Sequence, residues 1–385
     1  MGLYTYMEHF LAHIHWEQDG LQRQAIWYSE AQPLPPSQVM FVDDTITANK
    51  AIELARDGVG LIWSGDYQNA RELLKAILRR LDRKPRVGSQ KAPTGPAEIF
   101  AQHRSQLGIK AQITEQILIM LSKDFAIELR RGQDVQEACQ EVIGVINEPI
   151  VMPLKVLLAL VSAHEWRKKK IRVKHLPQSI TPYFGVFSPV RAEYLDLIVQ
   201  MTNSKHQKMA FDIGVGTGVL SILLTQKGYE QIIATDIEPR AIACAQENIN
   251  NYGLEDRISV IQADLFPEGR ADLIVCNPPW IPAMPSSPIE WAIFDPDSRF
   301  LKKFLFGLKD HLQEDGQAWL IISDIAEHLQ LRSREELMTW IKDAGLKIEK
   351  KVDVVPKHPK VQDTEDTLHF AREKELTSLW VLKQD

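Results

Sequence analysis

Through the first 180 positions apolar residues recur at three- and four-residue spacings, as in Ile113, Ile117, Met120, Leu121 and Phe125, the period of a helix with one buried face. The pattern predicts helices over residues 4–16, 44–56, 69–81, 96–107, 111–130, 135–147 and 153–166. Pro33, Pro35 and Pro36 mark one loop, and the stretch from Pro85 to Pro96, with Gly88 and Gly95, marks another. Beyond residue 180 the rhythm changes. Short apolar runs, several ending in an acid, predict strands over 208–212, 231–236, 258–264, 271–276 and 317–323, with helices over 219–227 and 239–252 between them. Two more strands are predicted over 346–355 and 378–382, with a polar, exposed loop over 357–375. Strands alternating with helices imply a mainly parallel sheet. The expected architecture is therefore α/β: a mostly helical N-terminal domain over 1–180, followed by a Rossmann-like sheet domain over 181–385.

Composition narrows the class. With 385 residues, 44% of them hydrophobic, the chain is long enough for two cores. Its mean hydropathy is −0.20, and no run of about 18 apolar residues is long enough to span a bilayer. The first twenty residues carry acids and histidines, unlike a secretory leader. Cys139, Cys244 and Cys276 show no paired spacing and read as reduced core residues of a cytoplasmic protein. Charge is uneven. Residues 1–180 hold 23 basic and 20 acidic residues, a net +3, and residues 181–385 hold 22 and 31, a net −9. Two basic clusters, Arg79, Arg80, Arg83, Lys84 and Arg86, and Arg167 to Lys170 with Arg172 and Lys174, can face phosphates or serve as solvated helix ends. The overall −6 is not the balance of a dedicated nucleic-acid binder.

Two motifs carry chemistry. Phe211, Asp212, Ile213, Gly214, Val215, Gly216, Thr217 and Gly218 join a strand to a helix through a sharp turn of the kind that admits a nucleotide to the backbone. A dinucleotide turn would place its third glycine at position 219; that residue is Val219, and the glycine falls one place early. Asp236 ends the next strand, 24 positions after Asp212, where an acid can accept hydrogen bonds from both hydroxyls of a ribose. Asp264 ends the third, within reach of an adenine amino group, and Pro239 suits the first turn of the helix between them. The fourth strand runs into Asn277, Pro278, Pro279 and Trp280. An amide or ring-amino nitrogen has a delocalised lone pair and needs orienting before it attacks. The Asn277 side-chain oxygen and the Pro278 carbonyl can take its two N–H groups, the prolines fix the backbone, and Trp280 offers a flat face.

On these residues the chain resembles the class I S-adenosylmethionine-dependent methyltransferases of the methyltransferase small domain type, over roughly residues 183–324. It is most similar among them to the enzymes that methylate glutamine side chains in peptide-release factors. The resemblance implies a seven-stranded sheet closed by an antiparallel pair, with S-adenosylmethionine as cofactor. It implies that Asp212, Gly214, Gly216, Thr217 and Gly218 line the methionine and ribose end. Asp236 and Ile237 would hold the ribose, Asp264 and Leu265 the adenine, and Asn277, Pro278, Pro279 and Trp280 the acceptor nitrogen. Two departures stand out: Trp280 replaces the usual tyrosine or phenylalanine, and the front domain is about twice the expected length.

The favoured acceptor is a glutamine side chain in a protein, with a base such as adenine in nucleic acid, or a small molecule, as alternatives. From another class, the chain can be read as a non-catalytic S-adenosylmethionine-binding regulator, though a pure binder has no need of the Asn277–Pro278 pair. Val219 and the absence of a placed hydride-transfer acid disfavour a nicotinamide oxidoreductase. No metal and no membrane are expected; His9, His13 and His15 lack a matching ligand set and read as surface or packing histidines. Residues 183–191 border the site by the same resemblance, where Arg191 and Glu193 can help close it or the segment can act as an apolar hinge.

Overall fold

The hairpin β1 (His13–Gln18) and β2 (Leu21–Trp27) opens the described part of the chain. The computed structural model describes residues 12–32, 34–82, 93–189, 193–202, 206–357 and 359–385. They fall into two units, one within 1–92 and 102–165, the other within 93–101 and 166–385.

The first unit is built on a six-stranded sheet. After the hairpin come β3 (Gln38–Val42), α1 (Ala48–Arg56), β4 (Val59–Trp63) and α2 (Tyr67–Leu81), then α3 (Pro96–Glu115), β5 (Ile117–Leu121), α4 (Gln136–Ile143), β6 (Ile150–Pro153) and α5 (Leu154–Lys169). The sheet order is β1-β2-β6-β5-β4-β3. Helical residues still outnumber strand residues, but the mostly helical reading foresaw none of these six strands, and two of them replace expected helix. Residues 13–16 form a strand, because Ile14 and Trp16 are buried at a two-residue period while His15 and Glu17 face out. Asp19 and Gly20, at φ 54° and 72°, make the two-residue turn that pairs His13 with Ile26. The helix expected over 111–130 stops at Glu115. Ile117, Leu118, Ile119 and Leu121 are all at most 1% exposed, and such a short, fully buried run belongs to a central strand. His13 and His15 thus sit on β1 rather than on a helix, with ring centroids 6.3 Å apart; His9 lies outside the described residues.

The second unit contains α6 (Glu193–Gln200), β7 (Met209–Ile213), α7 (Val219–Gln226), β8 (Gln231–Asp236), α8 (Pro239–Asn251), β9 (Ile258–Gln262) and β10 (Ala271–Cys276). Then follow α9 (Arg299–His311), β11 (Leu312–Ser323), α10 (Ile325–His328), α11 (Arg334–Asp343), β12 (Leu346–Val354), α12 (Pro359–Gln362), α13 (His369–Arg372) and β13 (Thr377–Gln384). The order β12-β13-β11-β10-β7-β8-β9 is parallel except for β13, which runs antiparallel to both β11 and β12. This is the seven-stranded Rossmann-like sheet expected from the sequence. Leu195, Ile222 and Leu223 cover one face against Val275, Trp319 and Ile321; Phe304, Leu308 and Ile341 cover the other against Phe211, Ile274 and Leu320. Burial on both faces explains why these strands read as continuous apolar runs. The segment expected as an exposed loop over 357–375 instead carries α12 and α13. Leu368 and Ala371 are buried there, and Glu375 accepts a hydrogen bond from the Ser323 hydroxyl at 2.7 Å.

The strand order reverses between the parallel neighbours β7 and β10. Successive crossovers run outward from β7 through β8 to β9, and from β10 to β11 on the other side. A crevice at the carboxyl ends of these strands is where open α/β sheets place ligands. All three cysteines are buried and unpaired. Among the described residues no helix is long and apolar enough to cross a membrane, and no group of three metal-ligating side chains gathers.

Candidate active site

The glycine-rich turn leaves β7 with Gly214 at φ 79°, a left-handed conformation that favours glycine, while the N–H groups of Gly214 and Val215 both donate to the Thr235 carbonyl, at 2.9 and 2.8 Å. A Cβ added at Gly214 or Gly216 would meet nothing within 4 Å, so the backbone here fronts open space. Gly218 differs. A Cβ there would lie 3.4 Å from Ala245 on α8, which makes it a helix-packing glycine. The Thr217 carbonyl accepts from Asn248 at 3.1 Å, and the same buried side chain takes the Thr181 N–H at 2.7 Å. Asn248 thus ties the turn to the segment ahead of the sheet. Sequence reading missed it, since an asparagine inside a helix carries no distinguishing pattern.

The three strand-end acids have different surroundings. Asp212 is fully buried beneath the turn; Ser221 donates to its Oδ2 at 2.6 Å, and burial pushes its pKa up to about 7. Asp236 is half-buried, its Oδ2 accepting from Gly216 N–H at 3.1 Å and its Oδ1 from Glu238 N–H at 3.0 Å. Burial raises its pKa, and these backbone donors partly offset that. Beside it Ile237 is 65% exposed, an apolar side chain on the open rim of the turn. Asp264 is exposed and pairs with Lys303 of α9 at 2.9 Å. Leu265 is buried at φ 81°, a conformation costly for leucine, and its carbonyl accepts from the Thr235 hydroxyl.

Asn277 follows directly on β10. Its Oδ1 accepts a hydrogen bond from the Trp280 indole at 3.0 Å. Pro278 is buried, and Pro279 and Trp280 are partly so. The loop leaving the motif is pinned at its neck: Trp280 and Ile281 N–H both donate to the Ile293 carbonyl at 3.1 Å, and Asp295 N–H returns to Ile281 at 2.8 Å. Glu193, Tyr194, Trp280, Pro356 and Thr377 line a small cleft beside the motif. Glu193 Oε1 accepts from Lys357 N–H at 2.8 Å. Arg191 lies outside the described residues, as do Arg83, Lys84 and Arg86 of the first basic cluster.

Much of the second basic cluster is engaged within the chain. Arg167 pairs with Glu247 at 2.6 Å and lies 4.1 Å over the Tyr183 ring; Lys174 and His175 both meet Asp196; Arg172 donates to the Pro177 carbonyl at 2.8 Å. The segment over 183–189 packs on α8 through Val186 against Ala241 and Cys244.

Residues 179–337 match the methyltransferase small domain family. Among curated proteins the chain is 32% identical over 174 residues to a predicted protein N5-glutamine methyltransferase of Methanocaldococcus jannaschii, across 43% of this chain and 82% of that protein. It is 45% identical over 83 residues to a tRNA1(Val) (adenine(37)-N6)-methyltransferase of Haemophilus influenzae, across 20% of this chain and only 36% of that enzyme's length. Among solved structures a methyltransferase of Pyrococcus furiosus shares 16% identity at a TM-score of 0.36, over 60% of this chain and 99% of that one.

Proposed function

Because the chain belongs to the methyltransferase small domain family of S-adenosylmethionine-dependent methyltransferases, we propose that it methylates a planar nitrogen, the side-chain amide of a glutamine in a protein. The residues present fit the cofactor. Gly214 and Gly216 front open space, and Asp236 stands at the adjoining strand end with each carboxylate oxygen fixed by a backbone N–H. In this reading Asp236 accepts from the ribose hydroxyls and Ile237 covers one face of the adenine. Asp264 or the Leu265 backbone meets the adenine edge, and the turn from Gly214 to Gly218 receives the methionine end. Asp212 acts from below, supporting the turn.

S-adenosylmethionine, when bound, supplies an electrophilic methyl group on a sulfonium. The chain's own residues supply the orientation of the nucleophile. Asn277 Oδ1 and the Pro278 carbonyl each accept one N–H of the acceptor, which draws its nitrogen out of conjugation and frees the lone pair. Trp280 gives the planar group a face to rest on. Orientation of this kind is worth roughly 7–11 kcal/mol of barrier in favourable cases.

One observation carries the choice of a protein acceptor: from residue 271 to residue 298, through the motif and the whole of its pinned loop, there is no lysine or arginine, and four acids are present. A nucleic-acid acceptor brings phosphates close to the reacting base, and phosphate partners are ordinarily met by cations. The loop exposes three large apolar side chains, Met284 at 68%, Trp291 at 57% and Ile289 at 42%, beside the polar Ser286 and the acid Asp297. The tRNA relatives support the second reading, an adenine amino group, which the same two acceptors would also suit. Labelling a cell extract with tritiated S-adenosylmethionine and purified protein separates the two. The expected label resists ribonuclease, yields to protease and is recovered as N5-methylglutamine; label lost to ribonuclease would establish the adenine reading instead.

A further inference from the structure

Trp280 commits all three of its polar groups. Its N–H donates to the Ile293 carbonyl at 3.1 Å, its own carbonyl faces Arg332 Nη1 at 3.5 Å, and its indole donates to Asn277 Oδ1 at 3.0 Å. Its side chain also packs against three apolar clusters of the second unit, including the one formed by Phe100, Phe294, Ile325 and Leu329. Arg332 behind it is 3% exposed, with Nε and Nη2 lacking hydrogen-bond partners among the described residues. A buried guanidinium so poorly paired is costly, and the group it does face is the backbone of the motif.

An indole nitrogen donates and never accepts. The carboxamide atom facing it is therefore the oxygen of Asn277, and the side-chain amino group faces the other way. That oxygen keeps a second lone pair. Phenylalanine at position 280 would remove the hydrogen bond that tells the two ends of the amide apart in this chain, and a half-turn would present N–H groups to an acceptor that is itself a donor. We infer that Trp280 is the positioning residue of the acceptor site, its indole N–H locking Asn277 in the one orientation that offers an oxygen to the nitrogen being methylated. This rests on the proposed role of Asn277; the hydrogen bond itself does not.

The test uses the full-length, uniformly 15N-labelled protein. The Trp280 indole resonance is identified by its disappearance in Trp280→Phe. In Asn277→Ala it should move upfield and its proton should exchange faster with solvent; an unmoved resonance overturns the inference without reference to turnover. In the tritium assay with extract protein as acceptor, Trp280→Phe should lower the initial rate about tenfold or more, the scale of one well-placed hydrogen bond. Its S-adenosylmethionine affinity should stay within about twofold of the parent. In the Asn277→Ala background the same change should cost nothing further, since the group it positions is gone. Parental turnover in folded Trp280→Phe beside an inactive Asn277→Ala refutes this inference alone. Parental turnover in Asn277→Ala refutes the acceptor-clamp reading and this inference with it.

Discussion

Replacing Asp236 with alanine tests the cofactor half of the site, and the structure bounds what it should do. A carboxylate offers about four lone-pair sites. Gly216 N–H at 3.1 Å and Glu238 N–H at 3.0 Å take one on each oxygen, the Ile237 N–H also acts on the carboxylate, and the remaining capacity faces the ribose hydroxyls. Hydrogen bonds to a charged group contribute about 1.5–3 kcal/mol, and the bared hydroxyls regain water, so the loss should be near one such increment rather than two: about 10- to 100-fold in affinity. Calorimetric titration with S-adenosylmethionine measures it, with a thermal melt to confirm that the glycine turn has kept its fold without the Gly216 anchor. A cofactor analogue lacking a ribose hydroxyl sharpens the assignment. It should bind the parent more weakly, yet Asp236→Ala should hardly distinguish it from the normal cofactor. Burial raises the Asp236 pKa, so affinity should also fall as pH is lowered, beginning above the usual aspartate range and only when Asp236 is present. Unchanged affinity in a folded variant, or an analogue penalty that survives the substitution, would remove Asp236 from the ribose.

Asn277→Ala should leave S-adenosylmethionine affinity within about twofold while lowering the initial rate by about 100-fold, the range seen when one transition-state hydrogen-bond partner is lost; equal losses in both would make it a cofactor residue. Asp212→Asn should stabilise the protein at pH 8. The folded-state pKa of about 7 exceeds that of the unfolded chain, so the folded form holds the extra proton between about pH 4 and 7, and stability falls as pH rises through that window. The variant's advantage, up to about 4 kcal/mol at pH 8 from a three-unit shift, should shrink to nothing near pH 4, as read by chemical denaturation; a pH-independent difference would exclude a buried titration at Asp212. Replacing Lys168, Lys169 and Lys170 with glutamine should leave turnover on the protein fraction unchanged. A drop that comes with a flatter salt dependence would instead mark a phosphate-bearing acceptor, since each phosphate contact contributes about 0.7 to 0.9 to the logarithmic salt slope.

The catalytic sheet was legible because its signals are local. Each strand of the parallel core ends within a residue or two of the glycine, acid or proline that turns the chain, and Gln231–Asp236 and Ala271–Cys276 have the limits that the apolar runs predict. The first unit defeated the same reading where two periods overlap. Ile113, Ile117 and Leu121 satisfy a helical spacing, yet they are divided between the last turn of α3 and a buried strand whose partners lie far along the chain. The hairpin was a different kind of miss. Asp19–Gly20 between Trp16 and Ala25 is a strong local turn signal, but the apolar spacing ahead of it also fits the helix expected over 4–16.

The acids of the site show where local reading ends. Asp212, Asp236 and Asp264 are the same residue type in nearly the same position, at or just beyond the carboxyl end of three successive strands, and the sequence offers one reading for all three. Position in the sheet separates them. Asp212 ends the central strand beneath the turn, where only Ser221 can reach it, and is driven toward neutrality. Asp236, one strand out, meets the Gly216 N–H of the turn and the Glu238 N–H at the start of α8, with part of its surface still open. Asp264, beyond the edge strand, is left to a solvent-exposed lysine. An exposed ion pair contributes little and exchanges readily, so Asp264 can release Lys303 to meet a ligand at small cost, whereas Asp212 cannot leave Ser221 without stranding a buried carboxyl oxygen unpaired. Of the three, Asp236 is the one held in place and still open to solvent, the combination a fixed hydrogen-bond acceptor for a ribose requires.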